Sequence, residues 1–234
     1  MKIAVCDCRI YRSALKKLED FCDRIILLPP FEELQEAVAS HPDMLIFPIY
    51  NEKIILTHGN YIEICKKHFE GTGYDIVAIP EKASAKYPND ILLNAAVVGD
   101  RLIGRLPYVS SAIKDFAERK GLESADTRQG YAKCSTCIVS ERAIITADPS
   151  IIKCASEFEI DTLEIGEGNI LLPGCNFGFI GGASGNDGEN VYFCGDISAH
   201  PDGERIKDFC QKHKKNIISL SSEPLQDVGS IFFL

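Results

Sequence analysis

Several features that would announce a function are missing from this chain. No apolar run approaches the roughly 20 residues that span a bilayer, so no transmembrane helix is expected. There is no basic excess: 34 acidic against 25 basic residues leave a formal net charge of −9. That balance argues against general nucleic-acid binding, where a basic surface must displace counterions. Neither G-x-x-x-x-G-K-[ST] nor a dinucleotide fingerprint occurs, so no phosphate cradle is expected. The single C-x-x-C, Cys134-Ser135-Thr136-Cys137, has no partner pair at zinc-site spacing. No Gly/Ser linker or low-complexity tract interrupts the chain. The start, Met1-Lys2-Ile3-Ala4-Val5-Cys6-Asp7, carries charge too soon for a signal-peptide core. Ten cysteines without a secretory signal are expected to be reduced, mostly buried thiols of a cytoplasmic protein. No cofactor and no metal is implied.

What is present is a repeat. Asp7, His58, Leu106, Asp148 and Asp196 each follow a short apolar run and precede a helix-like stretch and then a β-rich run. The steps between them are 51, 48, 42 and 48 residues, and 45 through the joined ends. A regular period in this range signals a repeat architecture, and an even step that includes the ends suggests a closed ring.

The third unit serves as the pattern. Lys133 to Val139 reads as a strand, Ser140-Glu141-Arg142 as a turn and Ala143 to Thr146 as a second strand. Asp148-Pro149 reads as N-cap plus first helical residue, Ser150 to Phe158 as a helix, and Asp161 to Ile165 as a returning strand. The unit is ββαβ. The same order is expected at Met44 to Ile79, Asp90 to Lys120 and Phe177 to Leu220. In the fourth unit the first strand is placed at Phe177 to Gly182 and a loop at Ala183 to Asn190. The fifth unit is split: Ser230 to Leu234 opens it, and Ile3 to Cys6, a helix from Ile10 and Arg24 to Leu28 complete it. The expected organisation is one α/β domain over 1–234, with units near 41–80, 87–127, 130–165, 174–220, and 227–234 joined to 1–28. A plain doubly wound sheet, or two unrelated α/β lobes, are the competing architectures.

A five-fold ring of ββαβ units resembles the pentein β/α-propeller, the fold of guanidino-group-modifying enzymes such as arginine deiminases, dimethylarginine hydrolases, amidinotransferases and agmatine deiminases. Gly130-Tyr131-Ala132-Lys133-Cys134-Ser135, Phe179-Ile180-Gly181-Gly182-Ala183-Ser184-Gly185 and His200-Pro201-Asp202-Gly203 are also similar to a bacterial family of unknown function assigned to this fold. The resemblance implies a site at the hub, where the opening strands converge. Catalytic members use a cysteine near the C-terminus, a histidine and acidic residues that grip the guanidinium. Here Asp227-Val228-Gly229-Ser230-Ile231-Phe232-Phe233-Leu234 holds no cysteine, and Ala183 stands where an acid is expected after Gly181-Gly182.

The candidate catalytic residues are His200, Asp202, Asp196 and Cys134. His200 and Asp202 lie in an insertion, and a carboxylate fixes the tautomer of a histidine acid or base. Against this, Pro201 and Asp202 suit a helix start, and Asp196 suits a cap. Cys134 sits beside Lys133, whose ammonium lowers a thiol pKa; a packed thiol is the plainer reading. Candidate ligand contacts are Asn94, polar within an apolar strand; Gly181 and Gly182, which admit close backbone approach; Arg128, for a carboxylate; Lys133; and His58, which also suits a helix entry. His41, His68 and His213 read as solvated or edge positions. Two functions stay open: a small-molecule enzyme with its ligand at the hub, or a non-catalytic binding module, as in the ribosome anti-association factor of the same architecture. Neither nucleic acid nor membrane is expected as a partner.

Overall fold

Five short apolar runs, each covered on both faces, form the middle strands of five separate sheets. The computed structural model describes residues 1–234. In chain order, β1 (Ile3–Asp7), α1 (Arg12–Leu18) and β2 (Arg24–Leu28) are followed by α2 (Pro42–Leu45), β3 (Ile46–Ile49), β4 (Ile54–Thr57), α3 (Ile62–His68) and β5 (Asp75–Ala78). Then come β6 (Ala96–Val98), β7 (Arg101–Gly104), α4 (Ser111–Lys120), β8 (Glu123–Asp126), α5 (Ala132–Ser135), β9 (Cys137–Ser140), β10 (Ala143–Thr146), α6 (Pro149–Glu157) and β11 (Asp161–Glu164). β12 (Ser184–Asn186), β13 (Asn190–Phe193), α7 (Gly203–Lys212), β14 (Asn216–Ser219) and β15 (Phe232–Phe233) complete the chain.

Every sheet has three strands, and in each the middle strand pairs antiparallel with one neighbour and parallel with the other. The parallel step needs a crossover, and α1, α3, α4, α6 and α7 supply it. Five such sheets rule out the doubly wound alternative. The fifth sheet is built from both chain ends: β15 pairs with β1 through Ala4 opposite Phe233 and Val5 opposite Phe232. The Ile3 amide also donates to the Leu234 carbonyl at 3.0 Å. Apolar burial is divided among four clusters, the largest of 28 residues, as expected when each unit buries its face on a neighbour.

Asp148 caps α6 as its sequence suggests: its carboxylate accepts from the Ser150 and Ile151 amides, with Pro149 in the first turn. Three expectations fail. Lys133 to Ser135 is a helical turn rather than strand, and pairing starts at Cys137. Phe177 to Gly182 makes no ladder, and the first strand of the fourth sheet falls at Ser184–Asn186, inside the expected loop. Met44 and Leu45 likewise belong to α2. The cause is shared: the backbone just ahead of the first strands bonds to other units instead of to its own sheet. The Gly182 amide donates to the Cys134 carbonyl (2.7 Å), the Asp43 amide to Gly229 (3.0 Å) and the Val228 amide to Gly182 (3.0 Å).

Candidate functional site

The turns that precede the five first strands meet, and each brings a polar side chain or a bare backbone to one buried cluster. α2 supplies Asp43, the approach to β6 supplies Asn94, α5 supplies Lys133 and Cys134, the approach to β12 supplies Gly181 and Gly182, and the approach to β15 supplies Asp227 and Ser230. Asp43, Asn94, Cys134, Asp227 and Ser230 are all buried.

Asn94 joins three units. Its Oδ1 accepts from the Lys133 amide (2.7 Å) and the Cys134 amide (3.3 Å), while Nδ2 donates to the Asp43 carbonyl (3.3 Å) and lies 3.3 Å from Cys134 Sγ. The Cys134 thiol is 3.0 Å from both Asp43 oxygens. Ser230 Oγ donates to Asp43 Oδ2 at 2.8 Å and accepts from Lys133 Nζ at 2.8 Å. Ser230 has a left-handed backbone, φ 70°, uncommon for a residue with a Cβ. Asp227 accepts from the Phe179 amide (2.8 Å) and the Gly229 amide (3.0 Å). Gly182 is there for space: a Cβ would lie 1.9 Å from Asp227 Oδ1.

His41 lies between two carboxylates, with Nε2 3.8 Å from Asp7 and Nδ1 3.8 Å from Asp227. It is wholly buried, and neither ring nitrogen has a hydrogen-bond partner. Asp7 is neutralised by a forked contact from Arg9. Neither Asp43 nor Asp227 has a lysine or arginine within salt-bridge distance. Burial, reinforced by the charges of Asp43 and Asp227, pushes the Cys134 thiol well up; burial also raises the Asp227 carboxyl. A cavity of about 820 Å³ is bordered by Phe47, Val97, Ile138, Ser184 and Phe232 from the five first strands; of the cluster residues only Lys133 reaches its wall.

The other candidates are elsewhere. Asp196 caps the 3-10 turn Ile197–Ala199 through the Ser198 amide (2.8 Å). His200 Nδ1 accepts from the Asp202 amide (3.1 Å), and Asp202 holds the Gly166 amide (2.9 Å) and Arg205. No hydrogen bond or ion pair joins His200, Asp202 or Asp196 to Cys134; they bind their own turns and, through Gly166, the segment after β11. Arg128 is exposed and contributes only its amide, to Ser150 Oγ. His58 is buried one turn behind Asp43, with Nε2 2.8 Å from the Met44 carbonyl and its ring stacked on Phe31. His41, read as a solvated or edge position, is instead at the centre because Pro42 turns the chain inward there. Asp43, Asp227, Ser230 and His41 escape the sequence reading because the repeat was aligned after its second strand. Alignment at the first strand places Asp43, Asn94 and Cys134 in corresponding turns.

The fold has known counterparts. DDAH from Pseudomonas aeruginosa, a mutant complexed with citrulline, superposes with a TM-score of 0.56 at 14% identity, covering 94% of this chain and 91% of that one. Agmatine deiminase from C. jejuni gives 0.56 at 9% identity, over 94% and 86% of the two chains. An amidinotransferase from Microseira wollei gives 0.50 at 13% identity, over 89% and 75%. No curated protein matches the sequence. The chain therefore shares the fold of these proteins. Residues 5–232 match the model of a family of unknown function, DUF6873, and the chain belongs to that family.

Proposed function

We propose that this chain is a small-molecule enzyme or ligand binder related to the guanidino-group-modifying hydrolases and amidinotransferases, acting without a C-terminal cysteine nucleophile. The observation that carries this reading is the convergence of Asp43, Asn94, Cys134, Asp227 and Ser230 from the turns ahead of the first strands. Two buried carboxylates without a lysine or arginine partner call for compensating charge, since an uncompensated buried charge is costly. A guanidinium or amidinium group has that charge and a planar fork that fits carboxylates. We read the five sheets as blades of one ring, closed where β15 meets β1, within a single domain over 1–234. The ligand then sits at the hub of that ring, and nucleic acid is not a partner.

The alternative is a non-catalytic binding module on the same ring. One observation favours it: Cys134 is 2% exposed and donates to a carboxylate, an arrangement that keeps a thiol protonated rather than making a nucleophile of it. Thermal shift with arginine, agmatine and citrulline tests the ligand class. Stabilisation by one of them supports the guanidino reading, and no shift with any of them removes it. Alkylation by iodoacetamide separates enzyme from module. A single fast thiol at Cys134 supports covalent catalysis; if Cys134 is among the slowest of the ten thiols, the module reading stands.

A further inference from the structure

His41, Asp43 and Cys134 offer a nitrogen, an oxygen and a sulfur donor, all three wholly buried and lying within 4.8 Å of one another. Cys134 Sγ and the Asp43 oxygens are already 3.0 Å apart. Bonds of 2.0–2.3 Å in a tetrahedral zinc shell put neighbouring donors about 3.4 Å apart, so closure of this triad takes a small contraction. The histidine is the independent observation. Buried polar atoms almost always have partners, and an exception points to something missing, such as an ion. Both His41 nitrogens are exceptions.

We infer that His41, Asp43 and Cys134 form a binding site for a divalent transition ion of the zinc type. The mixed imidazole, carboxylate and thiolate set suits zinc better than magnesium or calcium, which take oxygen ligands. Ligating histidines usually face a carboxylate through the second nitrogen. Either choice satisfies that rule here: Asp7 faces Nε2 and Asp227 faces Nδ1, each at 3.8 Å. On binding, the Sγ–H bond of Cys134 breaks, its proton leaves to solvent and the thiolate electron pair goes to the ion. The proton now shared between Cys134 and Asp43 is thereby replaced by a charge that Asp43 and Asp227 otherwise lack. Three protein donors leave a fourth position to water. The inference shares Asp43 and Cys134 with the proposed ligand site but does not depend on a guanidino ligand.

The full chain, expressed without a metal-binding tag, is stripped with chelator and titrated with zinc and with cobalt(II). The expected results are one equivalent of bound metal and a thiolate-to-cobalt charge-transfer band in the near ultraviolet. Cys134→Ser should lose the band, and Cys137→Ser should keep it. His41→Gln should weaken binding roughly ten-fold or more. Should a variant fail to fold, X-ray absorption of the unmodified zinc-loaded chain decides: one sulfur with nitrogen and oxygen neighbours supports the site. A sulfur-free shell, or no stoichiometric metal, overturns it, as does a cobalt band that survives in Cys134→Ser. Thermal shift of the metal-free chain with arginine, agmatine and citrulline is read separately. Metal binding without any shift retains this site and removes the guanidino reading, whereas a shift without metal binding does the reverse.

Discussion

Asn94 ties three units together, so its removal disturbs several neighbours at once. Its amide accepts from two buried backbone N–H groups of α5 and donates to the carbonyl of Asp43. Asn94→Ala leaves those two donors without their acceptor, the Cys134 amide in a fully buried place and the Lys133 amide in a part-buried one. At about 1–3 kcal/mol for a stranded buried group, the expected loss is roughly 2–3 kcal/mol, read as a lower urea midpoint with unchanged slope. Asn94 was legible because an amide inside Leu93-Asn94-Ala95 has no packing reason to be there. Cys134, Lys133, Gly181 and Gly182 are also sequence candidates that the structure puts in the cluster. Asp43 and Asp227 were not legible: each reads as an ordinary turn acid, Asp43 beside Pro42 and Asp227 two residues ahead of Gly229. His200 and Asp202 mislead for the opposite reason, since an inserted polar turn that braces itself and the neighbouring Gly166 segment resembles a site in one dimension.

At the level of elements, the caps and middle strands could be read, four first strands could be placed, and the points where the first strands begin could not. Asp148-Pro149 carries its own chemistry, and a fully buried strand announces itself by composition. A first strand of three or four residues preceded by one helical turn gives no periodicity long enough to separate the two. The β12–β13 hairpin shows how one such element is fastened to the next. Asp187, in its turn, receives the Asn190 amide, the Tyr192 hydroxyl and Lys2, which lies just ahead of β1. Burial raises its carboxyl, but these donors outweigh burial and hold it well below the usual range. A depressed folded pKa stabilises the protein above the unfolded value, near 3.9, and that contribution is lost as pH falls toward the folded value. Asp187→Asn should therefore melt below the parent at pH 7. The gap should narrow as pH drops below about 4; a constant gap in calorimetry from pH 7 to 3 would sink the assignment.

Across the whole molecule, the near-even spacing of five units foretold the five sheets and the pairing of β15 with β1, because period and split unit are properties of the chain itself. Chemistry was less legible, since the central side chains come from four distant turns and a fifth adds only backbone. Phe233 fixes the end pairing: it sits opposite Ala4, and its ring centroid lies 4.6 Å from that of Tyr192. Phe233→Ala should cost roughly 3 kcal/mol, the lower end for a buried aromatic. The end pairing also bears on kinetics. Four sheets close from segments near one another in sequence, whereas the fifth waits for two segments over 220 residues apart to meet. Closing so long a loop carries a high entropic cost before any contact offsets it. That encounter belongs late on the route to the native state, so Phe233→Ala should accelerate unfolding on the order of a hundred-fold and leave the refolding limb of a chevron almost unmoved.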